Sequence, residues 1–233
     1  MEKLKPLSRK EKTYATLSKP YAVVLVMLFA PFLNYLDRNF SYFFCLSIVL
    51  LILWSSGFNL SLFGFGKKIN MKTVLWAFLI TIGFIVVDTL FSTLVEHFFG
   101  EPDLSSLQGI VHDTAEYLIT LAIVWIFAAF GEELIFRGYY MKWLAELFGN
   151  SNRAWLASGV LISVYFGVSH YYQGLSGMIS ITFLALIMSY IFYRNRNNLV
   201  LLVLVHGIHD TYGLTLLYLD KENLLVDLVQ YIF

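Results

Sequence analysis

Hydrophobic residues in this chain fall into long runs parted by short polar clusters, and each run predicts a helix. The runs extend from about Tyr21 to Leu36, Phe40 to Trp54, Thr73 to Val95, Tyr117 to Phe136, Ala154 to Ser169, Leu175 to Tyr193 and Leu199 to Leu219. At roughly 16 to 23 residues each, they are long enough to cross the hydrocarbon core of a bilayer as helices. His206, Gly207, His209 and Asp210 interrupt the last run, which reads as one span or as two short helices. The fold class that follows is all-α: a polytopic transmembrane bundle of seven or eight helices. A final apolar stretch, Leu224 to Phe233, is expected to lie along the interface or to pack on the bundle.

Composition supports the membrane reading. Of 233 residues, 58% are hydrophobic and 14% are charged, against roughly 25% charged in a soluble domain. The net charge of zero hides a local order, because Lys3, Lys5, Arg9, Lys10, Lys12 and Lys19 crowd the first nineteen residues against Glu2 and Glu11. No small-residue cleavage site follows this tail, so it reads as a cytoplasmic N-terminus rather than a signal peptide. The basic residues Lys67, Lys68, Lys72, Arg137, Lys142, Arg153, Arg194 and Arg196 then fall in alternate connections. The connection after the third span is acidic, with Glu96, Glu101, Asp103, Asp113 and Glu116. Lysine and arginine collect on the cytoplasmic side, which predicts a multi-pass protein of the cell membrane with its N-terminus inside. The organisation expected is a basic tail over residues 1–19 and a single transmembrane domain over 20–233, with a motif-bearing core at about 115–219. The bilayer is a partner; nucleic acid is not. Cys45 is the only cysteine, so there is no disulfide framework and no thiolate metal cluster.

Two local patterns add detail. Residues Gly138 to Phe148 mix aromatics with charges, as interfacial helices do, and are expected at the cytoplasmic surface. Gly174 and Gly177, at the start of the sixth span, are placed for close helix approach.

Ionisable residues inside such runs are costly and usually functional. After residue 110 they are Glu132, Glu133 and Arg137 on the fourth span, His170 at the end of the fifth, and His206, His209 and Asp210 on the last. Glu133 and Arg137 are four apart, so they share a helix face and can pair. Glu132 points about 100° away from its neighbour and is left for chemistry. Phe166 aligns with His170 by the same spacing, and His206 with Asp210. No nucleophilic serine or cysteine stands beside these groups. A carboxylate that activates water for attack on a carbonyl is favoured over a covalent acyl-enzyme, with histidine orienting the water or protonating the leaving amine. Donors on the His206 and Asp210 face are placed to stabilise the oxyanion, although an ionised Asp210 would instead orient His206 or a water.

The same residues carry a family resemblance. Glu132-Glu133-Leu134-Ile135-Phe136-Arg137 resembles the E-E-x-x-x-R motif of the CAAX protease and bacteriocin-processing family, CPBP or ABI. Phe166 to His170 resembles its F-x-x-x-H, and His206 to Asp210 its H-x-x-x-N/D, all in family order. The resemblance implies an intramembrane glutamic endopeptidase, a hydrolase that cuts a peptide or protein substrate at the membrane. Glu132 would be the water-activating base, with His170 as partner, His206 and Asp210 on the oxyanion and water-binding side, and Glu133, Arg137 and Phe166 in support. The family's uses span CAAX-type processing, peptide maturation and bacteriocin self-immunity; Asp210 stands where the prenyl-protein branch tends to carry Asn, and with the small size this points to a bacterial member and away from CAAX substrates.

No cofactor is expected. The alternative is a zinc-dependent version of the same protease, with Glu132, His170, His206 and Asp210 as nitrogen and oxygen ligands, though no H-E-x-x-H helix supplies the usual pair. A non-catalytic immunity or scaffold protein and a proton-coupled transporter are the readings from other classes, and no repeated halves support the last. His209, Asp88, His97 and His112 read as core, lining or loop residues. Helix rise sets one geometric condition: for Glu132 and His170 to meet, the fourth helix must continue through Tyr139 and Tyr140, or the helices must tilt and start outside the hydrocarbon. A long fourth helix and a cavity open to the cytoplasmic side are therefore expected.

Overall fold

The computed structural model describes residues 7–224. Among them every regular element is helical, apart from one isolated antiparallel bridge between Phe65 and Asn198. A short helix α1, Arg9–Leu17, is started by a capping box in which Ser8 and Glu11 satisfy each other's backbone amides. Helix α2, Pro20–Phe29, begins on a proline and tightens into a 3-10 segment, Ala30–Tyr35. Helix α1 and the Pro20–Tyr35 segment are bent by 75° at the break between them. Then come α3, Phe40–Ser55; α4, Met71–Phe99; α5, Thr114–Leu147; α6, Asn152–Ser169; α7, Gly174–Arg194; and α8, Leu199–Tyr218. Most of the apolar stretch expected from Leu224 to Phe233 lies outside the described residues.

Four helices are long and apolar enough to cross a membrane, or five if the bent α1–α2 pair counts as one. Helix α3 has 16 residues and is shorter than such a span. The last apolar run is a single unbroken helix, since Thr211 and Thr215 bond carbonyls one turn back and Gly207 is packed under Trp125 rather than released into a turn.

The helix termini sort into two ends. At one, Lys142 donates to the Leu62 carbonyl, Arg196 to the Asn152 side chain at 2.7 Å, and the Lys67 amide to Asn197. Ser18 joins this end through the Trp143 indole N–H, 2.9 Å from its carbonyl. At the other, the Asp103 amide meets the Gln173 carbonyl, and the His112 amide meets that of Tyr218. Basic connections thus share one end and the acidic connection lies at the opposite one, as the charge pattern requires.

Two local expectations are corrected. Most of the stretch after Gly138 does not lie on a surface: it continues α5, and Tyr139, Tyr140, Trp143 and Leu144 are buried, with only its end, Glu146 to Phe148, exposed. Their rings fill the bundle, with Trp143 against Phe63 at 5.6 Å and against Tyr139 at 5.2 Å. An aromatic and charged mixture can therefore mark a helix that penetrates the core. Gly177 meets Gln173 of its own turn, and the close helix approach falls at Gly167, where any Cβ would collide with Thr182 of α7.

Cysteines introduced as Lys67→Cys and Tyr171→Cys in a Cys45→Ser background should react with a membrane-impermeant maleimide from opposite faces of sealed vesicles. Labelling of both from one face would refute the two-ended arrangement.

Candidate active site

Helix α5 carries the acidic pair, and its winding there is unusual. From Val124 to Met141 the backbone is wound almost throughout as a π-helix, a geometry that is rare at this length and frequent in short form at functional sites. Gly131 permits a close approach beside the pair, because a Cβ at this position would overlap the Tyr42 hydroxyl of α3. That hydroxyl donates to the Phe127 carbonyl at 2.7 Å. Glu133 and Arg137 point into the bundle, 0% and 1% exposed, and pair at 2.8 Å. Arg137 also donates to the Ala185 carbonyl of α7 at 3.2 Å and lies 5.2 Å over the Phe166 ring. Removing one member of such a buried pair costs about 3–5 kcal/mol, because the other charge is stranded.

Glu132 diverges from this pair. It is 19% exposed, and its Oε2 lies 4.0 Å from His206 Nε2. It lines a cavity of about 730 Å³ together with His170. His170 terminates α6, and its Nδ1 lies 2.8 Å from the Phe166 carbonyl. A carbonyl only accepts, so Nδ1 carries the hydrogen and Nε2 keeps its lone pair. Phe166 packs at 4.6 Å from the His170 ring and at 4.6 Å edge-on to Phe136, so it sets the position of the imidazole.

The other histidines belong to a chain of charge-bearing groups. His206 Nδ1 lies 3.0 Å from Glu133, and its Nε2 lies 3.3 Å from Asp210. Asp210 in turn is 3.5 Å from His209 Nδ1, and His209 Nε2 meets Asp88 of α4 at 2.9 Å. Six groups on α4, α5 and α8 are therefore linked in the order Asp88, His209, Asp210, His206, Glu133, Arg137. Phe84 packs edge-on to His209 at 5.0 Å and holds its ring.

Residues 114–212 match the family model described as type II CAAX prenyl endopeptidase, Rce1-like. Over this stretch, 99 of the 233 residues, the chain is similar to that family. The family is one of CAAX-type intramembrane proteases. No curated protein and no solved structure matches the chain.

The matched segment holds α5, α6, α7 and most of α8, and so every residue singled out above except Asp88, Phe84 and Tyr42. The structure brings Glu132 and His170 to one cavity and joins His206, Asp210, Glu133 and Arg137 in one network, but neither His206 nor Asp210 lines that cavity. Among the described residues, no group of three or more His, Cys, Asp or Glu side chains is arranged to hold a metal ion. The Phe166 carbonyl engages His170 Nδ1, while His206 lies between Glu133 and Asp210.

The entrance is also corrected. The cavity is lined by Arg38, Ser106, Tyr171 and Tyr172 and so reaches the end opposite to the basic connections, whereas helix rise placed its opening at the basic end. Helix α6 runs from Arg153 at the basic end and delivers His170 to the far end. Asp88 and His209, read as lining or core residues, form a direct pair. The signal for Asp88 was present: it is a lone carboxylate in the middle of the 29-residue apolar helix α4, where an ionisable group is functional by default. Nothing in spacing could name its partner, 121 positions away.

Asp88→Leu should strand His209 and lower stability by about 1–3 kcal/mol, read from thermal unfolding in detergent. His209→Leu should cost less in the Asp88→Leu background than in the parent, since only its contact with Asp210 is then left to lose; fully additive losses would show that the two do not act together.

Proposed function

We propose that the protein is an intramembrane endopeptidase that hydrolyses a peptide bond with a water activated by Glu132. The observation that carries this reading is the division of the acidic pair: Glu133 is engaged by Arg137 and His206, while Glu132 faces a cavity shared with His170. In the mechanism, Glu132 takes a proton from water as the oxygen attacks the scissile carbonyl, and the Nε2 lone pair of His170 orients that water. Glu132 then returns the proton to the leaving amine. His206, 4.0 Å from Glu132 and outside the cavity lining, is assigned the role of fixing the base rather than binding the oxyanion. Asp210 and Glu133 hold His206, and Arg137 holds Glu133.

The substrate is a peptide or protein segment at the membrane, extended or helix-broken where it is cut, because a helix shields its own backbone. The cavity has apolar walls from Phe32, Ile135, Phe136 and Val168 beside polar groups from Asn34 and Arg38, which suits a short apolar tail. CAAX-type processing follows from the family, and peptide maturation and self-immunity are the bacterial uses of the same chemistry. The proposed topology is seven crossings with the N-terminus inside, so that the cavity opens on the outer side. The proposed chemistry needs no metal.

Glu132→Gln should abolish cleavage while the protein still inserts and melts like the parent, whereas Glu133→Gln should lose about 3–5 kcal/mol of stability. Comparative peptidomics of membranes with parent and Glu132→Gln protein should show one precursor accumulating uncut. Unchanged peptide profiles would defeat the protease reading in favour of a scaffold role. Chelator treatment should leave cleavage intact; loss restored by added zinc would replace the metal-free mechanism.

A further inference from the structure

A second pocket, of about 400 Å³, lies at the basic end, away from the candidate active site. Lys67, Arg194 and Arg196 line it together with Asn152, Asn195 and Asn197, and no Asp or Glu is in the lining. Lys67 and Arg194 are exposed and Arg196 is partly buried, so the recess presents three cations to an incoming anion with no carboxylate to compete for them.

The pocket is built rather than a chance gathering of mobile side chains. Its floor joins two connections, 60–70 and 195–199, through backbone bonds from Gly66 and Lys67 to the Asn197 carbonyl and from Leu199 to the Gly64 carbonyl. Gly64 has φ +94°, and a Cβ there would meet Phe192 at 3.0 Å and the Arg196 carbonyl at 3.1 Å. Only glycine allows both this backbone and this closeness. Arg196 is clamped: its guanidinium lies 4.5 Å over Trp155 and 5.0 Å over Tyr193, and it donates to the Asn152 side chain at 2.7 Å and to the Tyr193 carbonyl at 3.3 Å. Nη1 has no protein acceptor among the described residues. A guanidinium held on aromatic faces with a donor edge left over is pre-organised for a phosphate or carboxylate.

Position selects the source of the anion. Arg194 ends α7 and Leu199 begins α8, two helices long and apolar enough to cross the membrane. The connection between them therefore lies at headgroup level, where basic pockets between transmembrane helices meet lipid phosphates. We propose that this pocket binds the phosphate of an anionic lipid headgroup and anchors the α7–α8 connection to one leaflet.

The test uses the full chain purified in detergent with phosphatidylglycerol or phosphatidylcholine and measures retained lipid by native mass spectrometry. The parent should retain phosphatidylglycerol preferentially. The triple variant Lys67→Gln, Arg194→Gln, Arg196→Gln should lose at least about tenfold of that retention, with unchanged phosphatidylcholine retention. The milder pair Lys67→Gln, Arg194→Gln leaves the Arg196 clamp intact and should show an intermediate loss if the triple variant folds poorly. Equal retention in parent and variants would overturn the proposal, as would an equal loss on replacing Arg9, Lys10 and Lys12 with Gln. Displacement of the lipid by millimolar inorganic phosphate would assign the pocket to a free anion instead and overturn the headgroup assignment.

Discussion

The buried pair of Glu133 and Arg137 is the constraint around which the remaining polar geometry is arranged. Two charges with essentially no exposure cannot be left to water, so each must find its partners within the bundle. Arg137 takes Glu133 one turn away and the Ala185 carbonyl of α7, and Glu133 takes a second donor from His206 of α8. These bonds join three helices that hydropathy alone would pack with little preference for rotation.

From that anchor the site divides naturally. With Glu133 engaged, its neighbour Glu132 is turned toward the cavity, and helix winding keeps the two side chains on different faces. The tautomer of His170 follows from an equally local cause, the Phe166 carbonyl at the end of α6. His206 and Asp210 are drawn into the network instead of the cavity, and their pairing extends through His209 to Asp88 on α4. The N-terminal half of the chain thereby enters the polar core, although the Rce1-like match covers only residues 114–212.

How legible each feature was depends on the range of the interaction behind it. Long apolar runs announced helices because a span must satisfy its backbone within itself, and the pairing of Glu133 with Arg137 follows from helix geometry alone. The continuation of α5 through Tyr140 followed from helix rise. The burial of Tyr139 and Trp143 was not legible, since aromatics suit an interface and a core equally well. Nor was the overlap of Gly131 with the Tyr42 hydroxyl, which depends on how α3 is pressed against α5.

The sequence by itself therefore determined an all-helical membrane protein, its charge asymmetry, the ion pair within one helix and the order of the three motifs. These rest on period, length and composition, which act within a segment. Only the tertiary structure decided that Asp88 meets His209, that His206 and Asp210 stand outside the cavity, and that the cavity opens away from the basic connections. Those outcomes depend on the rotation and depth of one helix against another, and the forces that set them act between residues as distant in the chain as Asp88 and His209, 121 positions apart.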